Sequence, residues 1–308
     1  MTDIDFVSKK SWFFFISAVV IIVGIISLAV FGLKPGIDFV GGTSITFQFN
    51  PPVEQSQLRE ELTKQGYDKA TIQQAGEDSF LVHLKEISSQ EKDKLKNELE
   101  TDLSCQAKIT DYYAVSPTVG VETARNAGIA VIIAAVAMLF YIAWAFRRMP
   151  KPFRWGICAV IALTHDVFII IGIFSILGCL AGVEIGALFI TGLLTVVGYS
   201  INNTVVIFDR IRENISKHIS PDFTVTVNSS IVETLGRSLN TTLTTLFVIL
   251  ALFLFGGATI HYFVLVLLLG AIIGTYSSIC ISSQFLVVWE KSEWRKLTTW
   301  LPFIQRPT

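Results

Sequence analysis

Six long apolar stretches with few or no charged residues are the feature that most constrains the fold of this 308-residue chain. Each is about 20 residues long, the length that a helix needs to cross roughly 30 Å of hydrocarbon. The predicted spans are residues 11–33, 126–146, 155–178, 185–208, 238–256 and 262–289. Charged residues make up only 16% of the chain, against about 25% in soluble domains. The sequence therefore predicts a polytopic α-helical membrane protein.

Lysine and arginine in the short loops and flanks predict the orientation of the spans, because these residues are enriched on the cytoplasmic side. They lie in residues 1–10, 147–154, 209–237 and 290–308, whereas the opposite loops 179–184 and 256–261 contain neither residue. Both termini, residues 1–10 and 290–308, are therefore predicted to be cytoplasmic and residues 34–125 extracytoplasmic. The first stretch lacks a small-x-small cleavage site, so we interpret it as an uncleaved anchor.

Residues 34–125 show the pattern of a folded domain. Thr43–Phe49 alternates polar and apolar side chains as a half-buried strand does, and Ser88–Glu91 has the sequence of a capping box before a helix. The predicted elements are strand 43–49, helix 53–65, strands 71–74 and 80–84, helix 88–102 and strand 107–113. This β-α-β-β-α-β order predicts a ferredoxin-like α+β extracytoplasmic domain, with one sheet surface open to solvent.

One span, an outer domain and five further spans form the layout of half a resistance-nodulation-division (RND) type transporter. The four cysteines show no C-x-x-C spacing, so neither a zinc site nor a redox pair is indicated. There is no P-loop string for ATP, and a net charge of −1 gives no basic surface for nucleic acid. Without a nucleophile–base or metal constellation, we expect no enzyme activity, no metal and no bound cofactor.

Several strings, in a consistent order, carry a family resemblance. They are Asp38–Gly42 after the first span, Ser116–Gly120 with Arg125-Asn126, His165-Asp166, Gly198–Asn214, and Leu235–Thr245. Together they resemble the SecD/SecF family of protein-export membrane proteins. One outer domain and six spans favour the SecF branch over the longer SecD or a fused SecDF.

The resemblance implies an accessory subunit of the Sec translocase in the bacterial inner membrane. It implies SecD as heterodimer partner, the SecYEG translocon, YajC and YidC as further partners, and preproteins as substrates. The energy source would be the proton motive force, which supplies about 2.3 kcal/mol per charge at 100 mV. Two alternatives stay open: a half-RND exporter of small molecules or lipids, with a roomy apolar pocket facing the outer domain, and a non-conducting scaffold of the translocon.

Asp166 is the most informative candidate for proton coupling, since it lies near the centre of the third span. An ionised carboxylate there costs at least about 3 kcal/mol, so it is functional or paired inside the bundle. The alternative is that it only fixes helix packing through a neighbouring hydroxyl. His165 is expected to point elsewhere and to be structural. Asp209, with Arg210, is expected to be an interfacial anchor rather than a relay group.

Asn203 and Arg237 form a second hypothesis. The resemblance implies an aspartate at position 203, acting with the arginine that matches Arg237 in proton conduction, but this chain has an amide. We expect these two positions to face one another in the cytoplasmic half, as the vestige of a proton site. Asn203→Asp should then raise proton-gradient-dependent export, and adding Arg237→Ala should abolish that gain.

Two glycine patterns predict close backbone approach. Gly41-Gly42, beside Asp38, indicates a tight turn from the membrane into the first strand. In the sixth span, Gly270, Gly274 and Ser278 recur every four residues and predict a helix-packing stripe. The sequence leaves open whether the partner helix belongs to this chain or to another.

Overall fold

The computed structural model describes residues 5–76 and 78–293, so residues 1–4 and most of the predicted terminal segment 290–308 lie outside this part of the chain. Six described helices are long and apolar enough to cross a membrane. We number them as spans one to six: Lys10–Phe31, Pro117–Ala145, Pro152–Ala181, Ala187–Ser216, Phe223–Phe255 and Thr259–Glu290. The predicted polytopic helical architecture is confirmed.

Several helices are longer than the predicted spans. The second begins at Pro117, directly after the outer domain, instead of at residue 126. The fourth continues to Ser216 and the fifth begins at Phe223, so most of the predicted loop 209–237 is helical. The extension is stabilised by ion pairs between residues three or four apart on one helix, such as Arg210 with Glu213.

The outer domain is a four-stranded antiparallel sheet with strands in the order β2-β3-β1-β4. The strands are β1 Gly42–Asn50, β2 Thr71–Gln74, β3 Ser79–Leu84 and β4 Gln106–Val115, and the helices are Gln55–Lys64 and Ser89–Asp102. Phe47 and Val82 on the sheet and Leu58 and Leu99 on the helices are fully buried in one core. This is the predicted ferredoxin-like topology.

The outer domain is attached to the bundle at the N-terminal end of the fourth span. The backbone amide of Gly36 donates to the Ile185 carbonyl at 2.8 Å, and the Ile185 amide donates to Lys34 at 2.9 Å. His83 on β3 lies 2.6 Å from the Glu184 carboxylate. The prediction of an open sheet surface is therefore corrected in part, because the surface around His83 faces the bundle.

The first and third spans run parallel in close contact. Gly24 and Gly172 allow this, since a Cβ on Gly172 would lie 2.6 Å from the Gly24 Cα. Beside them, the Ser27 and Ser175 hydroxyls are 2.9 Å apart. Small residues of this kind let helices approach within a membrane, where apolar surface alone does not drive association.

Candidate intramembrane carboxylate site

Asp166 lies at the centre of the bundle, and its side chain is about 1% exposed. The Ser200 hydroxyl of the fourth span donates to Oδ2 at 2.6 Å, and the Ser277 hydroxyl of the sixth span donates to the same atom at 2.8 Å. The other oxygen, Oδ1, lies 2.9 Å from His165 Nδ1. Three helices thus meet at one carboxyl group.

His165 does not point away from Asp166, so that expectation is wrong. Its Nδ1 faces the carboxylate, and its Nε2 lies 3.0 Å from the Ser17 hydroxyl of the first span. The imidazole ring extends far enough from the backbone to lie along its own helix and reach the carboxylate of the following residue, Asp166. His165 is therefore part of the carboxylate site and connects it to a fourth helix.

The sixth span departs from regular α-helix beside this site. Residues Ser278–Ser282 form a π-helical turn, which starts directly after Ser277. Ser278 lies 3.0 Å from the Thr204 hydroxyl and donates to the Gly274 carbonyl at 2.7 Å. Single π-helical turns of this kind are frequent at functional sites. Here the turn lies at the contact between the fourth and sixth spans.

Asn203 and Arg237 lie in different surroundings. Asn203 is buried and donates to the Thr275 hydroxyl at 3.2 Å, and Thr275 in turn is 2.8 Å from the Thr242 hydroxyl. Arg237 is exposed and lies in the middle of the fifth helix, not at its start. Within residues 5–76 and 78–293, no hydrogen bond or ion pair joins Asn203 to Arg237.

Asp209 is exposed at the end of the fourth span and pairs with Arg212 at 2.5 Å. The predicted partner Arg210 instead contacts Glu213 and Glu233, and Glu233 belongs to the fifth helix. The Arg210–Glu233 pair joins the extended parts of the two helices, whereas the other two pairs lie within the fourth span. Asp209 is remote from the buried carboxylate, as an interfacial residue would be.

Asp38 and the two glycines after it form the junction between domain and bundle. The Asp38 carboxylate accepts a hydrogen bond from the Ala187 amide at 2.8 Å, at the start of the fourth span. Gly41 has φ +81°, and a Cβ there would lie 2.6 Å from the Pro117 nitrogen. Gly42 has φ +143°, and a Cβ would lie 2.5 Å from the Leu84 carbonyl. Both positions exclude a larger residue.

The small-residue stripe of the sixth span packs against the fourth span of the same chain. A Cβ on Gly270 would overlap Val196, and one on Gly274 would lie 2.9 Å from the Ser200 Cβ. This close approach brings Ser277 within hydrogen-bond distance of Asp166. Ser17 and Ser277 carry no distinctive sequence signal, whereas Ser200 lies in the Gly198–Asn214 string, and the stripe residues Gly270 and Gly274 indicated the packing face.

The arrangement places one carboxyl group, which can in principle exchange a proton, among hydroxyl donors of two other helices. Protonation of the carboxylate on either oxygen would remove its negative charge and so weaken the hydrogen bonds that Oδ2 accepts from the two serine hydroxyls. Because the serines lie on the fourth and sixth spans, a change in these hydrogen bonds would alter the contact between the two helices. A polytopic bundle with a buried carboxylate at its centre and an α+β domain outside it defines the class: half of an RND-like transporter.

Comparison with known proteins identifies the branch of that class, and the chain belongs to the SecD/SecF family. Residues 94–292 match the family profile described as protein export membrane protein SecD/SecF, C-terminal, and residues 26–53 match the SecD/SecF GG motif. "Protein translocase subunit SecF" of Thermobaculum terrenum is 44% identical over 306 residues, which cover 96% of each chain. The SecF subunit of Anaerolinea thermophila is 41% identical over 298 residues.

Fused relatives are longer than this chain. It is 35% identical to the SecDF subunit of Bacillus subtilis, of which the match covers 39%. The crystal structure of SecDF from Thermus thermophilus, described as a translocon-associated membrane protein, superposes with a TM-score of 0.83 at 34% identity. That match covers 94% of this chain and 39% of the SecDF chain. The chain therefore spans about two-fifths of the fused proteins.

Proposed function

We propose that this chain is the SecF subunit of a bacterial Sec protein translocase and promotes preprotein export with the proton motive force. SecF-named relatives match along nearly the whole chain, which supports the role. The observation that carries proton coupling is the burial of Asp166 between hydroxyls of two other helices. The role is that of an accessory transport subunit in the inner membrane, with both termini cytoplasmic, and it needs no catalytic chemistry.

A polar surface at membrane depth supports a membrane partner. The exposed side chains Thr195, Asn202, Arg237, Asn240 and Thr244 lie on the fourth and fifth helices, on either side of a Tyr199–Thr242 hydrogen bond of 3.2 Å. We call these five residues the polar face. Polar groups facing lipid are costly and are normally covered by protein or water. We propose that SecD covers this face, since the fused relatives contain additional chain beyond the matched part.

Other proposed partners act outside this face. Preproteins would contact the outer domain, and SecYEG, YajC and YidC would complete the translocase around the heterodimer. The long strand β4 is at the edge of the sheet, so its outer backbone groups are available for an extended polypeptide. The side chains around His83 face the bundle and are less accessible than this edge.

The exporter alternative predicts a roomy apolar pocket facing the outer domain. The cavity between that domain and the bundle has a volume of about 110 Å³ and is lined in part by Asp38, Asp111 and Glu184. Small-molecule sites are usually about 300–1,000 Å³ and mainly apolar. The small, acidic cavity thus favours a protein-export role over export of lipids or drugs.

An export assay with and without an uncoupler tests the proposal. In membrane vesicles that contain SecYEG, SecD and this chain, preprotein should become protected from protease. One part of the protected amount should be lost when an uncoupler is added, and the rest should remain. Asp166→Asn should remove the sensitive part, because the amide keeps the shape but cannot exchange a proton. The matched control is Asp209→Asn, which changes an exposed carboxylate of the same bundle and should leave export unchanged.

Two results would separate the alternatives. If Asp166→Asn leaves uncoupler-sensitive export intact, Asp166 is not the coupling group. If wild-type export shows no uncoupler-sensitive part, the chain acts as a scaffold, and Asn203→Asp then asks whether the missing acid is the reason. Because Asn203 is buried beside Thr275, an aspartate there would have a hydroxyl partner. We expect Asn203→Asp to raise the uncoupler-sensitive part. Because Arg237 is exposed and does not contact Asn203 in the described part of the chain, Arg237→Ala should leave that gain in place.

A further inference from the structure

The two oxygens of Asp166 have different connections. The serine hydroxyls that contact Oδ2 do not continue to another exchangeable group. Among the described residues, the only other hydrogen bond of the Ser277 hydroxyl is to the Gly274 carbonyl, at 3.2 Å. A backbone carbonyl cannot pass on a proton. The Oδ1 side continues through His165 to Ser17, whose hydroxyl lies 3.2 Å from the Tyr276 hydroxyl. A chain of exchangeable groups therefore leaves Asp166 on the Oδ1 side.

This chain reaches a groove on the side of the bundle. The groove has a volume of about 640 Å³ and lies between the first, third and sixth spans. Ser17 and His165 both line it, and so do Ser11, near the start of the first span, and the exposed Thr164. The rest of the lining is apolar. Ser11 follows Lys9 and Lys10 in sequence, so the groove extends toward the end of the span that is predicted to be cytoplasmic.

We propose that Ser17 and His165 form the route by which protons pass between this groove and Asp166. The inference rests on the proposed function, in which Asp166 gains and loses a proton. A proton from water in the groove passes through Ser17 to Nε2 of His165, while the proton on Nδ1 passes to Asp166 Oδ1. The imidazole ends neutral as the other tautomer, so one proton enters and one reaches the carboxylate. Release of a proton into the groove follows the reverse order. The route therefore connects Asp166 to one side of the membrane, and proton flow across it needs exchange with the other side in a different packing of the bundle.

The groups around this route come from four helices. His165 belongs to the third span with Asp166, Ser17 to the first, Ser200 to the fourth, and Ser277 with Tyr276 to the sixth. Tyr276 stacks on the imidazole with ring centroids 6.1 Å apart, and its hydroxyl donates to the Phe13 carbonyl. In the described part of the chain, no ion pair other than the one with Asp166 involves His165. Among residues 5–76 and 78–293, the imidazole is thus the only titratable group that contacts the carboxyl group.

Infrared spectroscopy of the full-length chain with SecD in nanodiscs tests the route. The carboxylic acid C=O stretch of protonated Asp166 is identified by its loss in Asp166→Asn. After a rapid pH drop, the rate at which this band appears reports proton access, and its pH midpoint reports the equilibrium. Ser17 does not touch Asp166, so Ser17→Ala should slow the rate about 100-fold, the low end of what a positioned proton-transfer group contributes. The midpoint should change little.

Three variants make the result specific. Ser17→Thr keeps a hydroxyl and should restore the rate. Ser27→Ala removes the matched serine contact between the same two helices, remote from Asp166, and should leave the rate unchanged. His165→Phe keeps the ring on Tyr276 and should slow the rate at least as much as Ser17→Ala.

The outcomes separate the route from the function. Wild-type rates in Ser17→Ala and His165→Phe, with a band that still titrates, would overturn the route and leave the proposed function standing. Equal slowing in Ser27→Ala would also overturn it, because the effect would then come from helix packing. A band that never appears at any pH would instead refute proton uptake by Asp166 and so the proposed coupling.

Discussion

Gly270→Ala is the sharpest test of how the sixth span is held against the fourth. The added Cβ would overlap Val196 Cγ2 and would lie 2.5 Å from its Cγ1 and 2.8 Å from its Cβ. Val196 is about 2% exposed and cannot turn away into solvent. Overpacking of this kind costs about 1–3 kcal/mol. For a chain of this size, each kcal/mol lowers the melting temperature by about 2–4 °C, so we expect a drop of roughly 2–12 °C.

The chain contains its own reporters for the measurement. Cys105, Cys158 and Cys280 are buried free thiols and Cys179 is exposed, so a thiol-reactive fluorophore should label one site at once and the others on unfolding. A melting curve of the full chain in detergent, followed by this fluorescence, gives the transition temperature. Cys179→Ser removes the initial signal and serves as the background for all variants.

Two further variants decide whether the steric reason is correct. Gly198→Ala alters a helical glycine of the fourth span that has no atom within 4 Å of the added Cβ, so it should not destabilise the chain. Alanine there should even add up to about 1 kcal/mol of helix propensity. Val196→Ala removes both Cγ atoms, so combined with Gly270→Ala it should cost less than the sum of the single changes. Additive losses, or a Gly270→Ala protein that melts like wild type, would refute the predicted contact.

Three other predictions concern the outer side. Asp38→Ala removes the carboxylate that accepts from the Ala187 amide and should lower stability by about 1 kcal/mol in the same melting assay, while Asp38→Asn should largely preserve it. The Ser88 amide and hydroxyl donate hydrogen bonds that lower the pKa of Glu91. The stabilisation of the helix by this cap is therefore complete at pH values above the usual glutamate pKa, and it is lost as the pH falls through the lowered pKa. Glu91→Gln should therefore speed amide exchange in the helix Ser89–Asp102 at neutral pH but match wild type in acid; equal exchange at neutral pH would contradict this. A membrane-impermeant maleimide should label Cys179 in spheroplasts, and labelling only after permeabilisation would reverse the topology.

The outer domain could be predicted closely because its sequence signals are local. Thr43–Phe49 alternates with period two, and in the structure Ile45, Phe47 and Phe49 are buried on one face. The Ser88 and Glu91 capping box forms as predicted, with both reciprocal hydrogen bonds. Neighbours in sequence are neighbours in space in such elements. Only β2 and β3 pair across a short connection, whereas β1 pairs with β3 and β4 because a helix crosses over between β1 and β2 and another between β3 and β4.

The bundle interior was harder to predict because its contacts join residues far apart in sequence. Ser17 and His165 are in contact across 148 positions, and a serine in an apolar helix gives no sign of its partner. Helical periodicity separates His165 from Asp166 in direction, yet the flexible imidazole turns back toward the carboxylate. The helical extension at 209–216 did have a local signal: Asp209 with Arg212, and Arg210 with Glu213, have the spacing of ion pairs along an exposed helix.

The fourth span connects the carboxylate site to the outer domain. At its outer end Ala187 donates to Asp38, directly before the Gly41-Gly42 junction, and the adjoining Ile185 exchanges backbone hydrogen bonds with the same segment. One further stretch of rigid helix, about 20 Å at 1.5 Å per residue, separates Ala187 from Ser200, which donates to Asp166. A helix transmits axial displacement along its length, because its backbone hydrogen bonds resist compression. If Asp166 is protonated as proposed, a change at its Ser200 contact would act on the same helix that holds the base of the outer domain, without a separate relay through the loops.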